Sequence, residues 1–235
     1  MQNKICLIHQ PAGIGDVFYL QFVARKYMSM NYQVIWPLKD QLMWIQDYIT
    51  DIQFCSVNDN FPGKEYYGQD VIIISPQFVY LGVDRPHLWD INAPLTMSSK
   101  YQVLNLDHKE WVNGFKYDRN LEKENDLYYN VLGLTDDSEY VYVNQYYNTD
   151  NRKHTMFDER VFDYPIVLNE IIDGFTPFDW CKVFENAKEI YTRPTSISFI
   201  IDTLKTKAKV YYCTFDKTNY DDVRCLFNKV DGWID

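Results

Sequence analysis

The first third of the chain alternates short apolar runs with segments of helical periodicity. The apolar run over residues 5–9 predicts a strand buried on both faces, and Val17, Leu20 and Val23 share one face of a helix predicted over 17–30. Three further apolar runs predict strands at 33–38, 52–57 and 71–75, with a second helix at 39–49. This alternation predicts an α/β fold with a doubly wound parallel sheet.

A second alternation follows the polar break at residues 133–138. It predicts strands at 140–147, 164–169, 189–192 and 209–213, and helices at 177–186 and 196–205. A charged helix over 119–132 precedes the break, and a short helix with a frayed end is expected over 220–235. We therefore expect two domains, 1–137 and 138–235, each built on the same strand–loop–helix order.

The middle of the chain is harder to interpret. Residues 76–120 contain Pro76, Pro86 and Pro94 and only weak helical stretches. Long irregular segments in compact domains are often functional. The segment either covers a site or packs against the edge of the sheet, and the sequence leaves both open.

The net charge of the chain limits the classes of molecule that it is expected to bind. Lys and Arg number 23 and Asp and Glu number 33, which gives a net charge of −10. Such a chain is a poor general binder of nucleic acid or of anionic membranes, because both require cations. We expect no nucleic-acid partner. A nucleotide ligand remains compatible, because a helix N-terminus or a local basic pocket binds a diphosphate.

Composition and the N-terminus predict the compartment. Hydrophobic residues make up 46% of the chain and aromatic residues 17%, with 20 Tyr, so a packed core is expected. The five cysteines form no CxxC pair, and the N-terminus lacks the pattern of a signal peptide. No apolar run reaches the roughly 18 to 20 residues that span a bilayer. A cytoplasmic protein with no transmembrane segment is expected.

The first motif that indicates chemistry is Gly13-Ile14-Gly15-Asp16, between the first strand and the first helix. Glycines allow a sharp turn and a close approach of a ligand to the backbone. Asp16 lies at the helix start, where it either caps the helix or acts as a reactive carboxylate. The motif is neither a GxGxxG dinucleotide fingerprint nor a P-loop, since the third glycine and a following GK[ST] are both missing.

In its context this motif resembles a known family. A strand followed by PAGIGDVFYLQFVARKY and a second strand is similar to the N-terminus of the lipopolysaccharide heptosyltransferases, glycosyltransferase family 9. The resemblance implies two Rossmann-like domains facing a cleft (the GT-B type), with the acceptor bound by the N-terminal domain. It also implies that Asp16 deprotonates the acceptor hydroxyl, with Gly13, Ile14, Gly15 and the nearby His9 lining that site.

A second motif implies the donor site. Arg193-Pro194-Thr195-Ser196-Ile197-Ser198 opens a predicted helix and resembles the family's Asp-Ser/Thr-Gly loop, which holds the donor diphosphate. Free N–H groups and the helix dipole favour an anion there. Arg193 and Pro194 replace the family's acidic residue, and Ser196 and Ile197 replace its glycine. A simple Thr or Ser cap is the alternative explanation.

Two weaker features complete the expected donor site. Arg152 and Lys153 follow the first strand of the second domain, where the family uses a basic residue on donor phosphate. A solvated turn is the alternative. Glu170, near Thr176 and Asp179, is a candidate for binding ribose hydroxyls or a base edge. Because the chain contains no DxD motif, we expect no metal and no cofactor beyond the donor substrate.

Together these features predict an inverting, metal-independent glycosyltransferase that moves a sugar from a nucleoside-diphosphate donor to a glycan hydroxyl. The alternatives are a nucleotide-sugar epimerase or hydrolase of the same fold, and a non-catalytic module that binds sugar nucleotides. The chain is shorter than usual members, and its Asn-, Asp- and Tyr-rich composition is typical of AT-rich genomes and suggests a compact viral relative.

Overall fold

The computed structural model describes residues 4–69, 75–83, 96–144, 146–147, 152–153, 162–213 and 226–234. It is a mixed α/β structure with two main parallel sheets. The chain divides into two compact units, Met1–Asp118 and Arg119–Asp235. The expected functional domains, 1–137 for the acceptor and 138–235 for the donor, stay a prediction.

The first unit is built on a four-stranded parallel sheet in which strands from distant parts of the chain are neighbours. The strands are β1 (Lys4–Ile8), β2 (Tyr32–Leu38), β3 (Phe54–Ser56) and β4 (Phe78–Leu81), in the spatial order β3-β2-β1-β4. Cys6 lies opposite Val34 on β2 and Val79 on β4, so β1 is central. Its last three residues are fully buried, as the apolar run predicts.

The helices of the first unit are shorter than the sequence predicts. They are α1 (Ile14–Tyr19), α2 (Gln21–Ser29), α3 (Thr96–Gln102) and α4 (Trp111–Gly114), with 3₁₀ helices at Asp40–Asp47, Lys64–Tyr66 and His108–Glu110. The single helix expected over 17–30 is divided at Leu20. The helix expected over 39–49 is the 3₁₀ helix Asp40–Asp47.

The fourth strand lies later in the chain than the sequence indicates. Residues 71–74 of the strand expected at 71–75 lie outside the described residues, and Ser75 is not in a strand. The strand that pairs with β1 is Phe78–Leu81, inside the segment that the sequence left open. Ser75 and Phe78 bond through their backbones, so a tight turn leads into it.

The second unit has a five-stranded parallel sheet. Its strands are β5 (Val141–Val143), β8 (Ile166–Leu168), β9 (Glu189–Thr192), β10 (Lys209–Cys213) and β11 (Gly232–Ile234), in the order β11-β10-β9-β5-β8. A separate antiparallel ribbon pairs β6 (Tyr146–Tyr147) with β7 (Arg152–Lys153). The strands expected at 189–192 and 209–213 are confirmed residue for residue. Residues 220–225 of the helix expected over 220–235 lie outside the described residues, and Gly232–Ile234 near its end forms β11.

Two helices of the second unit begin at the predicted residues, Pro177 and Ser196, whereas the charged helix expected from 119 begins at Leu121. The helices of this unit are α5 (Leu121–Asn125) continuing into a π-helix (Asp126–Val131), a 3₁₀ helix (Pro177–Trp180) continuing into α6 (Cys181–Asn186), and α7 (Ser196–Thr203). Pro177 begins its helix because a proline at the first helical position loses no hydrogen bond. Within the described parts of the chain, no helix has the length and hydropathy that crossing a bilayer requires.

Each sheet has its own apolar core. Leu7, Ile35 and Tyr80 pack together in the first unit, and Val143 and Tyr191 do so in the second. Burying a large apolar side chain contributes about 1.5 to 3 kcal/mol, so these clusters stabilise the strands of each sheet against one another. Within the described residues, Cys6, Cys55, Cys181 and Cys213 form no disulfide.

The strand orders place a crevice in each unit. In the first, the chain proceeds from β1 to β3 on one side and crosses back to β4 on the other. In the second, it proceeds from β5 to β8 and crosses back to β9. Ligands of open α/β sheets bind outside the carboxyl ends of the strands at such a reversal. The carboxyl ends of β1 and β4, and those of β5 and β9, are therefore the places to search.

Candidate functional site

The GIGD loop lies at the carboxyl end of β1, beside the reversal point of the first unit. The backbone N–H of His9 donates to the carbonyl of Leu81 at 2.8 Å, which joins the ends of β1 and β4. The chain then turns and enters α1 at Ile14. The motif is thus where a ligand of this sheet is expected.

Gly13 is required by the geometry of this loop. Its φ of +85° is a conformation that other residues rarely adopt. A Cβ at Gly13 would lie 2.1 Å from Oδ2 of Asp16. The missing side chain therefore gives the carboxylate of Asp16 its place against the loop. Asp16 lies in the first turn of α1, where the helix dipole favours a negative charge.

Asp16 is paired with a lysine from a distant part of the chain. Nζ of Lys100 lies 2.5 Å from Oδ1 of Asp16 and donates to Oε1 of Gln10 at 2.7 Å. The side chain of Lys100 is 5% exposed and that of Asp16 is 27% exposed. The ammonium is therefore buried against two acceptors, while the carboxylate is partly open to solvent.

Helix α3 brings Lys100 to this position. The next residue, Tyr101, donates from its hydroxyl to the carbonyl of Tyr19 at 2.5 Å, and the two rings are 4.6 Å apart. Burial raises the pKa of Tyr101 above its ordinary value, so the hydroxyl remains a neutral donor. This part of the segment that the sequence left open packs over the GIGD loop and its helix.

The other residues expected at the acceptor site lie close to the loop. Gly13, Ile14 and Gly15 are half-buried. His9 is 5% exposed and its ring lies 4.3 Å from that of Tyr67 and 5.8 Å from that of Tyr80. His9 is therefore part of an aromatic cluster beneath the loop.

The reversal point of the second unit carries amides and hydroxyls. Nδ2 of Asn144, just after β5, donates to Oγ1 of Thr192 at 3.1 Å and to Oγ1 of Thr195 at 3.2 Å. Asn169, just after β8, donates to Oδ1 of Asn144 at 3.2 Å. The carboxyl ends of three neighbouring strands are thus joined by one polar network.

The RPTS loop follows β9 and begins α7 at this network. Thr195 is the N-cap residue and forms a capping box with Ser198. Oγ of Ser198 accepts from the backbone N–H of Thr195 at 3.2 Å and donates to the carbonyl of Arg193 at 2.9 Å. The loop is therefore held in shape by Ser198, which is fully buried, while Thr195 and Ser196 are half-buried.

The remaining residues expected in the donor site are distributed over the unit. Arg193 is fully buried at the end of β9. Arg152 and Lys153 form β7 and pair with Tyr147 and Tyr146. Glu170 is exposed, directly after Asn169. Thr176 and Asp179, considered with Glu170, form the capping box of another helix, in which the Thr176 N–H donates to Oδ2 of Asp179 at 2.7 Å. The structure thus joins Thr195 to the polar network and engages the pair Thr176 and Asp179 in a local cap.

Sequence reasoning missed several groups at these two edges. In the first unit they are Gln10 and Lys100, and in the second they are Asn144, Asn169 and Thr192. Lys100 comes from a segment with no readable pattern. Each asparagine directly follows apolar residues, Asn144 after 140–143 and Asn169 after 166–168, and that signal is available in the sequence.

A surface pocket of about 300 Å³ lies at the opposite end of the first sheet. It is formed where β2 begins and just before β3, with Tyr32, Gln33 and Gln53 in its wall. Its acidic residue, Asp51, is paired with Arg25 at 2.7 Å. The pocket lies at the amino ends of the strands, so the reversal-point rule does not point to it.

Comparison with known proteins gives the fold. No family model matches the chain, and no curated protein matches it. A solved structure described as a glycosyl transferase family 9 protein from Veillonella parvula DSM 2008 is similar over 100% of this chain and 87% of its own, with a TM-score of 0.57 and 10% identity.

A second similar structure is the iron-containing dodecameric glycosyltransferase TibC from enterotoxigenic E. coli H10407. It matches 90% of this chain with a TM-score of 0.51 and 11% identity, and this chain spans 58% of TibC. A further structure shows TibC as a heptosyltransferase in complex with ADP-D-beta-D-heptose, with a TM-score of 0.50. At such low identity the likeness shows the fold alone, and the chain therefore has the fold of these glycosyltransferases.

Proposed function

We propose that this protein is a glycosyltransferase that moves a sugar from a nucleoside-diphosphate donor to a hydroxyl of a glycan acceptor, with inversion and without a metal. The observation that carries the proposal is the position of Asp16. A half-buried carboxylate lies at the carboxyl end of the central strand β1, in a fold shared with solved glycosyltransferases.

The first unit supplies the base. Oδ1 of Asp16 is bound by Lys100, and Gly13 leaves room for Oδ2. In the proposed reaction the acceptor oxygen attacks the anomeric carbon as its proton passes to the Asp16 carboxylate. The bond from that carbon to the diphosphate breaks, and the nucleoside diphosphate leaves with the electron pair. General-base catalysis of this kind contributes about 10² to 10⁴ in rate.

The second unit supplies the donor site. The first N–H groups of α7 and the hydroxyls of Thr195 and Ser196 lie at the carboxyl end of β9, where an anion is favoured by the helix dipole. TibC was crystallised with ADP-D-beta-D-heptose, a nucleoside-diphosphate sugar. We extend only that chemical class to this chain, and we keep Arg152, Lys153 and Glu170 as proposed donor contacts.

Inversion and metal independence follow from the residues proposed. One base and no nucleophile that would form a covalent intermediate give a single displacement, which inverts the anomeric carbon. In place of a metal, the N–H groups at the start of α7, together with Arg152 and Lys153, neutralise the leaving diphosphate. Anomeric assignment of the product by NMR, and turnover in EDTA, test the two claims.

A thermal-shift screen with UDP, GDP, ADP and TDP, with CMP as a control, is the first experiment. A ligand at about 100 times its Kd stabilises the fold by roughly 2.7 kcal/mol. The proposal expects one diphosphate to raise the Tm. The corresponding nucleotide sugar should then release that diphosphate only when a glycan acceptor is present.

The same assays separate the alternatives. Consumption of the donor without any acceptor would indicate a hydrolase or an epimerase. A thermal shift with no turnover for any acceptor would indicate a binding module. The absence of a shift with every diphosphate would contradict the proposed donor site.

A further inference from the structure

Lys100 is buried, charged and paired with the proposed base, yet it belongs to no motif. A buried ammonium is costly unless paired and hydrogen-bonded, and Asp16 and Gln10 are the two acceptors given to it. Helix α3 holds this lysine in place through Tyr101, which is fully buried between Tyr19 and Phe22. The packing of α3 therefore places Nζ of Lys100 against Oδ1 of Asp16.

A chain of four hydrogen bonds fixes how the Asp16 carboxylate lies. Oδ1 is bound by Nζ of Lys100, and Gln10 fixes that ammonium from its other side. The Gln10 side chain is itself tied to the loop, since its Nε2 donates to the carbonyl of Ala12 at 2.6 Å. Its backbone carbonyl accepts from the indole of Trp36 at 3.0 Å. Lys100, the partner of the carboxylate, is thus held by Gln10, which is held in turn by Ala12 and Trp36.

The second carboxylate oxygen of Asp16, Oδ2, has different surroundings from Oδ1. Oδ2 lies over Gly13, at a place where any side chain would collide with it. Within the described residues, the hydrogen bond to the Asp16 carboxylate goes to Oδ1 and not to Oδ2, and the Asp16 side chain is 27% exposed. One oxygen is therefore anchored and the other keeps its lone pairs for an incoming hydroxyl.

We infer that Lys100 is a positioning residue for the proposed base. It anchors Oδ1 of Asp16, balances its charge, and directs Oδ2 towards the acceptor hydroxyl. The inference rests on the proposed glycosyltransferase function and adds to it a residue from outside the GIGD loop. Lys100 itself does not contact the sugar. A base misplaced by about 1 Å loses on the order of 10² in rate, so the anchor affects turnover rather than donor binding.

The test is a double-mutant cycle in the full chain. The variants are Lys100→Met, Lys100→Arg, Asp16→Asn and the double variant Asp16→Asn/Lys100→Met, with Lys109→Met as a matched control. Lys109 is an exposed lysine of the same unit. For each protein, kcat, the KM for the acceptor and the donor-induced thermal shift are measured, and circular dichroism checks the fold.

If Lys100 acts through Asp16, Lys100→Met lowers kcat by about ten- to a hundredfold and leaves the donor-induced shift unchanged. Lys100→Arg recovers part of the loss because it keeps the charge. In the Asp16→Asn background, Lys100→Met changes kcat by less than about twofold, since effects through a shared partner do not add. Lys109→Met behaves as the wild type.

The outcomes distinguish the two claims. An active wild type in which Lys100→Met is equally active overturns the positioning role and leaves the glycosyltransferase proposal standing. An equal loss from Lys100→Met in both backgrounds overturns it as well, because Lys100 would then act independently of Asp16. A wild type that turns over no nucleotide sugar overturns the proposed function, and the inference with it.

Discussion

The two units place different chemistry at corresponding edges of their sheets. At the carboxyl end of β1 the first unit has a buried lysine paired with an aspartate, Lys100 and Asp16. At the carboxyl end of β5 the second unit has Asn144, bonded to the hydroxyls of Thr192 and Thr195. One edge carries a charged pair suited to moving a proton, and the other carries neutral groups beside a helix N-terminus, suited to an anion.

The two units share an α/β architecture, yet different side chains lie at the carboxyl ends of their strands. The architecture alone therefore does not determine the chemistry there. In the first unit the edge is completed by α3, which comes from far along the chain. In the second it is completed by residues that directly follow their own strands. Substitutions at the two edges test whether one edge holds the base and the other the donor.

Asp16→Asn is expected to have the largest effect. Removing the base lowers kcat by about 10² to 10⁴, because the acceptor proton then has no carboxylate to accept it. The thermal shift with the nucleoside diphosphate stays as in the wild type. Steady-state kinetics with donor and acceptor measure this. Asp47→Asn, an exposed aspartate of the same unit, serves as the control and should retain full activity.

Arg119→Met is expected to lower stability without affecting the proposed base or the proposed donor site. Arg119 bonds Glu124 and Glu185 together, and Glu124 is only 1% exposed. Loss of the arginine leaves a buried carboxylate without its partner and should lower the free energy of unfolding by about 3 kcal/mol. Urea unfolding measures this.

The matched control for Arg119 is Lys188→Met, which removes an exposed ion pair with Glu139. We expect no measurable change in stability from it, because exposed ion pairs contribute little. We expect Arg119 to stabilise the fold without contributing to donor binding. A large loss of donor binding in a folded Arg119→Met variant would contradict this.

Gly13→Ala and Gly68→Ala separate backbone strain from the placement of Asp16. Both glycines have a positive φ, +85° and +92°. Each substitution should therefore lower the free energy of unfolding by about 1 to 3 kcal/mol. A Cβ at Gly68 meets nothing within 4 Å, whereas at Gly13 it meets Oδ2 of Asp16. Only Gly13→Ala should lower kcat. Equal kcat values for the two variants would argue against a placed carboxylate.

Comparison of Thr195→Ala with Thr176→Ala tests the proposed donor site at the start of α7. The two threonines have similar capping roles, but only Thr195 lies at that site. Both threonines are N-cap residues in capping boxes of the second unit. Each substitution should lower the free energy of unfolding by about 1 kcal/mol. Only Thr195→Ala should weaken the thermal shift with the nucleoside diphosphate. The same loss of shift from Thr176→Ala would mean that the shift reports general stability.

Local pattern predicted much of this fold. The apolar runs indicated β1, β2, β9 and β10, and the GIGD and RPTS loops lie between strand and helix as expected. These features depend on neighbours in sequence, such as a proline at a helix start or glycines after a buried run. The strand Phe78–Leu81 was missed, because its four residues lie in a segment without a clear period.

The partners of the site residues could not be predicted in the same way. Lys100 lies 84 positions from Asp16, and no periodicity connects a lysine to an aspartate at such a distance. Asn144, Asn169 and Thr195 meet only because the strand order places β5 between β8 and β9. Strand order depends on which apolar faces pack together, and the alternation of strands and helices does not encode it.

Amide hydrogen exchange with bound nucleoside diphosphate tests whether the donor binds at the start of α7. The chain is exchanged with and without UDP, GDP, ADP and TDP, and peptides covering residues 10–20 and 193–203 are compared. The account predicts that one diphosphate slows exchange at the start of α7, around Thr195 and Ser196, and leaves the GIGD loop unchanged. Protection of the GIGD loop alone would contradict it, because the anion would then bind at the edge assigned to the base.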